Sequence, residues 1–146
     1  MTIEDDVALL ERVPTLRLLG IAALRMVAIG SEQRNFARGG ILFHAGEEAD
    51  AGFVVQRGAF RVEDGGAAVV AGPGALIGEL ALITAMRRPS TATALENSSV
   101  IRIARSLFQR VLESDPNAAR RLRDEMALRT SQVASDILVA GAKLSF

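Results

Sequence analysis

Gly78-Glu79-Leu80-Ala81-Leu82-Ile83-Thr84-Ala85-Met86-Arg87-Arg88-Pro89-Ser90-Thr91 is the stretch on which the reading of this chain turns. Gly78 admits backbone angles closed to other residues and lets a second group approach the main chain closely. The residues after it open one helical turn, whose leading N–H groups face outward and suit a phosphate. Glu79 brings two acceptor oxygens for hydroxyl donors, and Arg88 a planar fork for phosphate oxygens. An acid, a base and a row of amides within about a dozen residues could together hold a sugar phosphate.

Upstream, a second pattern runs through Leu42-Phe43-His44-Ala45-Gly46-Glu47-Glu48-Ala49-Asp50 and Phe53-Val54-Val55-Gln56-Arg57-Gly58-Ala59-Phe60-Arg61-Val62. Followed by Gly78-Glu79-Leu80-Ala81-Leu82, Arg88 and Thr91 in that order and spacing, it resembles the cyclic nucleotide-binding domain family. The resemblance covers roughly residues 8–137. That family includes the regulatory subunits of cyclic AMP-dependent kinase, the catabolite activator protein and the sensor domains of gated ion channels. The resemblance implies a mainly β fold with flanking helices (α+β). Its centre would be a jelly-roll β-barrel with an inserted phosphate-binding cassette. One domain is expected: N-terminal helices over residues 1–32, a β-roll over 33–104 with its cassette at 78–91, and C-terminal helices over 105–146.

The same resemblance implies a site. Gly78, Glu79, Leu80, Ala81, Arg88, Pro89 and Ser90 would contact the ligand, Glu79 accepting from a ribose hydroxyl and Arg88 pairing with the cyclic phosphate. The family's last helix serves as a lid over the base, and Arg129 is the candidate there, because a guanidinium stacks on a purine face. Three positions depart from the family pattern. Pro89 replaces a small residue whose N–H commonly reaches the phosphate, and proline has none. Ala85 stands where a loop glycine is usual, and Leu76 where an aromatic often precedes the glycine-glutamate pair. The catabolite activator protein contacts adenine through lid hydroxyls; the corresponding positions here are Val133 and Ala134. The expected ligand is therefore a cyclic mononucleotide, cyclic AMP (cAMP) or cyclic GMP (cGMP), bound without turnover and without a cofactor. A homodimer through the last helix is the expected partner. The alternatives are a degenerate module used for dimerisation or docking, and the effector domain of a transcription regulator lacking its helix-turn-helix.

Periodicity gives an outline that stands beside the resemblance. Val7, Leu9, Leu10 and Val13 predict a short helix over 5–13 ended by Pro14, then a tight apolar turn through Leu16, Leu18, Leu19 and Gly20. Leu24, Met26, Val27 and Ile29 predict a second helix over 21–29. From Phe36 onward, short apolar runs alternate with glycines, which predicts an all-β sandwich or barrel. The strands are placed at 33–37, 41–44, 52–57, 60–63, 67–71, 92–95 and 99–104, with a hairpin tip at Asp64-Gly65-Gly66. Ser106 and Gln109 predict a capped helix start, and Asp115-Pro116 a second cap and a final helix to about Val139. Ala119, Leu122, Met126, Val133, Ile137 and Ala140 lie on one stripe of that helix.

Composition excludes several classes. The 146 residues hold 17 Lys plus Arg against 17 Asp plus Glu, so no global basic field attracts nucleic acid or anionic lipid. No apolar run approaches the ~18 residues of a membrane span, and the acidic N-terminus lacks a signal peptide's pattern. A cytoplasmic location is expected. Without cysteine there is no thiolate nucleophile, and His44, the sole histidine, has no partner for metal or triad chemistry.

Overall fold

The computed structural model of the chain describes residues 2–140, with side chains described through residue 128. Three helices come first: α1 (Ile3–Glu11), α2 (Pro14–Arg17) and α3 (Ile21–Gly30). α1 starts two residues before the predicted position. A reciprocal cap fixes that start, Thr2 Oγ1 accepting from the Asp5 N–H and Asp5 Oδ2 from the Thr2 N–H, both at 3.1 Å. Glu4, Asp5 and Asp6 make its first turn mostly polar, so apolar spacing alone does not reach it. Pro14 does more than end a helix. It opens α2 at the position where a missing N–H costs nothing, and part of the predicted apolar turn is therefore helical.

Ten strands follow: β1 (Glu32–Phe36), β2 (Ile41–Phe43), β3 (Glu48–Ala49), β4 (Ala51–Arg57), β5 (Phe60–Glu63), β6 (Ala68–Ala71), β7 (Leu76–Ile77), β8 (Met86–Arg87), β9 (Thr91–Ala94) and β10 (Ser98–Ala104). The seven longer strands lie within one residue of the predicted ends. β3, β7 and β8 have two residues each and show no alternation to read. One antiparallel sheet runs β1-β10-β4-β7, the other β2-β9-β5-β6, and β3 pairs with β8. This is the expected jelly roll with flanking helices. The β5–β6 hairpin turns where predicted: Gly65 takes φ +90°, and Asp64 Oδ1 accepts from the Ala67 N–H at 3.1 Å.

β4 and β10 are apolar on both faces because they separate two cores. Phe53 and Val55 of β4 and Val100 of β10 join Phe43 and Phe60 between the sheets. Val54, Ile101 and Ile103 face the other way, into Leu10, Leu16, Leu24, Val27 and Phe108 of the helical layer. These two strands are the wall that holds barrel and helices together.

Two helices follow, α4 (Arg105–Ser114) and α5 (Pro116–Ala140). Ser106 does not act as the predicted cap. The N-cap is Ala104, two residues earlier, and no side chain caps the helix. Its start is set instead by the Arg105 N–H, which donates to the Asp50 carbonyl at 2.8 Å. Asp115 does cap α5, its Oδ1 accepting from the Ala118 N–H at 3.1 Å. Asp115→Ala should cost about 1 kcal/mol, read as a fall of about 3–5 °C in thermal melting; Asp115→Asn should restore it. Along α5, Ala118 and Leu122 are buried in the helical core, with Met126 packed beside them. The buried alanine is thus Ala118 and not the stripe residue Ala119. The side chains of Arg129, Val133, Ala134, Ile137 and Ala140 lie outside the described residues. Among the described residues, no helix is long and apolar enough to cross a membrane.

Candidate ligand-binding site in the cassette

The cassette leaves the barrel at β7, turns at Gly78 and runs through a 3₁₀ turn, Glu79–Leu82, before β8 brings it back. Gly78 has φ +80°, a left-handed conformation that favours glycine. Space also demands it: a Cβ there would sit 2.5 Å from Arg88 Nη1. The 3₁₀ turn is anchored by Ala81 and Leu82, both fully buried, and leaves Leu80 exposed. Leu82 packs on Gly52 of β4, where a Cβ would lie 3.0 Å from Leu82 Cγ.

Two further ties hold the loop. Arg105 Nη1 reaches three carbonyls, Ala49 at 2.8 Å, Thr84 at 3.1 Å and Ala81 at 3.2 Å. The return limb zips to the 44–48 loop, with the Arg88 N–H donating to the Glu47 carbonyl at 2.7 Å and the Gly46 N–H to the Arg88 carbonyl at 2.8 Å. Arg87 adds a bond from Nη1 to the Gly46 carbonyl at 2.9 Å. Thr91 Oγ1 accepts from the Ala45 N–H at 2.9 Å.

Arg88 is 5% exposed. Its Nη2 donates to the Ala51 carbonyl at 2.8 Å, and its guanidinium lies over Phe43, 4.2 Å from the ring centre, and 5.4 Å from Phe53. No carboxylate lies within ion-pair distance among the described residues. Burial lowers its pKa from the ordinary arginine value, while the carboxylates of Asp50 and Glu47 pull it back up. A guanidinium stays protonated regardless. The aromatic faces offset part of the desolvation, but a buried charge without an anion remains costly.

A hollow of about 180 Å³ opens over this cation, lined by Phe43, Val62, Gly78, Glu79, Leu80, Ala81, Met86, Arg88, Pro89 and Ser90. Seven of the eight residues singled out from the sequence therefore meet at one place; the side chain of the eighth, Arg129, lies outside the described residues. Phe43, Val62 and Met86 were missed. Phe43 and Val62 stand in the upstream motif, and both read as ordinary alternating strand residues. Glu79 faces two ways, since it lines the hollow while its Oε1 accepts from Thr15 Oγ1 at 2.6 Å. A larger hollow of about 320 Å³ lies between the 3₁₀ turn, α4 and α5, lined by Leu82, Leu112, Leu122 and Met126 among others. Its lining includes Gln109 and Arg123, but no buried charged side chain among the described residues.

A β-roll whose inserted loop wraps a hollow with a buried cation is the architecture of a ligand-binding domain. The chain belongs to the cyclic nucleotide-binding domain family, whose model matches residues 33–115. It is 32% identical over 104 residues to a lysophospholipase of Pyricularia oryzae, a match covering 67% of this chain and 7% of that protein. It is 31% identical over 127 residues to a cyclic nucleotide-gated potassium channel of Mesorhizobium japonicum, covering 87% of this chain and 36% of the channel. Among solved structures, the N-terminal domain of a transcriptional regulator from Streptomyces coelicolor superposes with a TM-score of 0.80 at 27% identity, covering 88% of this chain and 94% of that one. The chain thus spans a small part of the curated relatives it matches.

Proposed function

We propose that this chain is a sensor domain that binds cAMP or cGMP without turning it over. The cyclic phosphate sits against Arg88 and the leading amides of the 3₁₀ turn, beside Gly78, Leu80, Ala81 and Ser90, while Glu79 accepts from the ribose hydroxyl. The observation that carries this reading is Arg88 itself, a buried cation with no ion-pair partner among the described residues, placed at a hollow. An anionic ligand supplies the missing charge and forms charge-assisted hydrogen bonds in a site of low dielectric. The family membership and the channel relative support the ligand class. Output follows from a shift of α5 toward a closed position over the base, with Arg129 stacking there, and that shift alters a seam with a second copy. The shift is limited to the ligand's differential affinity for the two states.

Pro89 supports a second reading, a degenerate pocket kept for docking, because it removes one phosphate donor. A thermal-shift panel separates the two. At a hundredfold excess over its dissociation constant, a cyclic nucleotide adds about 2.7 kcal/mol, which raises the melting point by about 5–10 °C. Linear 5′-AMP should shift it far less. No response to either cyclic nucleotide at millimolar concentration would select the degenerate pocket.

A further inference from the structure

Thr15 belongs to α2, far from the cassette in sequence, yet its hydroxyl is 2.6 Å from Glu79 Oε1. It is 4% exposed, wedged between Val13 and Leu16 of the helical core. A hydroxyl at that distance from a carboxylate makes a short, charge-assisted hydrogen bond. It restrains the direction of the half-buried Glu79 carboxylate, which limits the rotamers open to it. α2 is itself held at its far end, where Arg121 of α5 donates to the Leu18 carbonyl at 2.7 Å and the Leu19 carbonyl at 3.0 Å. The hydroxyl that grips Glu79 is therefore mounted on a fixed support.

We infer that Thr15 is a positioning residue for Glu79, one that sets the carboxylate to receive a hydroxyl of the ligand's sugar and so confers preference for a ribose over a deoxyribose. This rests on the reading of the hollow as a cyclic nucleotide site. A carboxylate oxygen can accept more than one hydrogen bond, so Thr15 orients the group without consuming it. Thr15 touches no part of the ligand. Its influence on the ligand passes through Glu79, and a sugar lacking the hydroxyl should not feel it.

The test measures dissociation constants by calorimetry for cAMP, cGMP and their 2′-deoxy analogues, using the parent chain, Thr15→Val and Thr15→Ser. The parent should prefer the ribose form by about tenfold, the worth of one hydrogen bond to a charged group. In Thr15→Val that preference should fall to about twofold or less, with the deoxy analogue bound as in the parent. Thr15→Ser should keep the parent's preference. Thr15→Ala, which removes the hydroxyl without adding a methyl, takes over if the valine variant does not fold. Equal weakening of both ligands would make Thr15 merely structural and overturn the inference. An unchanged preference would overturn it too. A preference that grew in Thr15→Val would mean that Thr15 competes with the sugar, again against it. Failure of the parent to bind any of the four nucleotides is a different result, which removes the cyclic nucleotide reading itself and the inference with it.

Discussion

Arg88→Met is expected to abolish the response to cyclic nucleotides while leaving the ligand-free protein as stable as the parent, to within about 1 kcal/mol. The two halves of this expectation have one cause. In the ligand-free fold the guanidinium is buried, has one described side-chain hydrogen bond, to the Ala51 carbonyl, and rests on the faces of Phe43 and Phe53. Methionine fills much of the same space and packs well on aromatic rings. It gives up the bond to Ala51 and the cation–π contact, but it also removes the desolvation of a charge that lacks an anion. Against a bound phosphate the balance reverses. Two charge-assisted hydrogen bonds at about 1.5–3 kcal/mol each mean binding weaker by about 150- to 20,000-fold. Chemical denaturation gives the first quantity and calorimetry the second. A variant that still binds with parental affinity would place the phosphate elsewhere, and one destabilised by more than about 3 kcal/mol would make Arg88 a structural ion.

Gly78→Val is expected to cost about 2–5 kcal/mol of stability, the largest effect of any single change considered for the cassette. A left-handed conformation costs a residue with a side chain about 1–2 kcal/mol, and a β-branched one more. The new Cβ would also lie 2.5 Å from Arg88 Nη1, the end of a side chain held by its bond to the Ala51 carbonyl, adding about 1–3 kcal/mol of overpacking. Gly65 supplies the control. It has φ +90° in the β5–β6 hairpin, but nothing lies within 4 Å of its absent Cβ. Gly65→Val should therefore show the conformational part alone, and the difference between the two variants isolates the contact with Arg88. Equal losses in urea melts would mean that Arg88 simply moves aside.

Much of the barrel is legible in the sequence because β4 carries a continuous apolar run, β10 one broken only by Arg102, and because glycines mark the turns. The short pairs β3–β8 and β4–β7 are not legible, since two residues show no period. They matter nonetheless, because β7 and β8 are the two ends that hold the cassette. The site is legible as a set of residue types: Gly78, Glu79, Arg88 and Ser90 do meet at one hollow. Their environment is not. The resemblance singles out Arg88 over its neighbour Arg87, but residue type alone does not tell the two apart. Burial separates them, because Phe43 and Phe53 converge on Arg88 from strands remote in the chain. The bond between Thr15 and Glu79 spans 64 residues and leaves no local signature at either end. Ser106 shows the opposite failure, a correct capping pattern overridden by the connection between β10 and α4.

The Arg105 guanidinium, joined to three carbonyls from β3 and the cassette, has a mechanical consequence. Arg105 is the first residue of α4, so that end of the helix cannot slide without stripping Ala49, Ala81 and Thr84 of a donor at once. Among the described residues, the opposite end at Ser114 has no comparable fastening to the cassette. Any motion of α4 is therefore a swing about a fulcrum set on the cassette itself. A ten-residue helix is about 15 Å long, so a tilt of about 10° carries its far end through about 2.5 Å. α5 starts at that far end, and a small displacement of the loop reaches it multiplied by the lever.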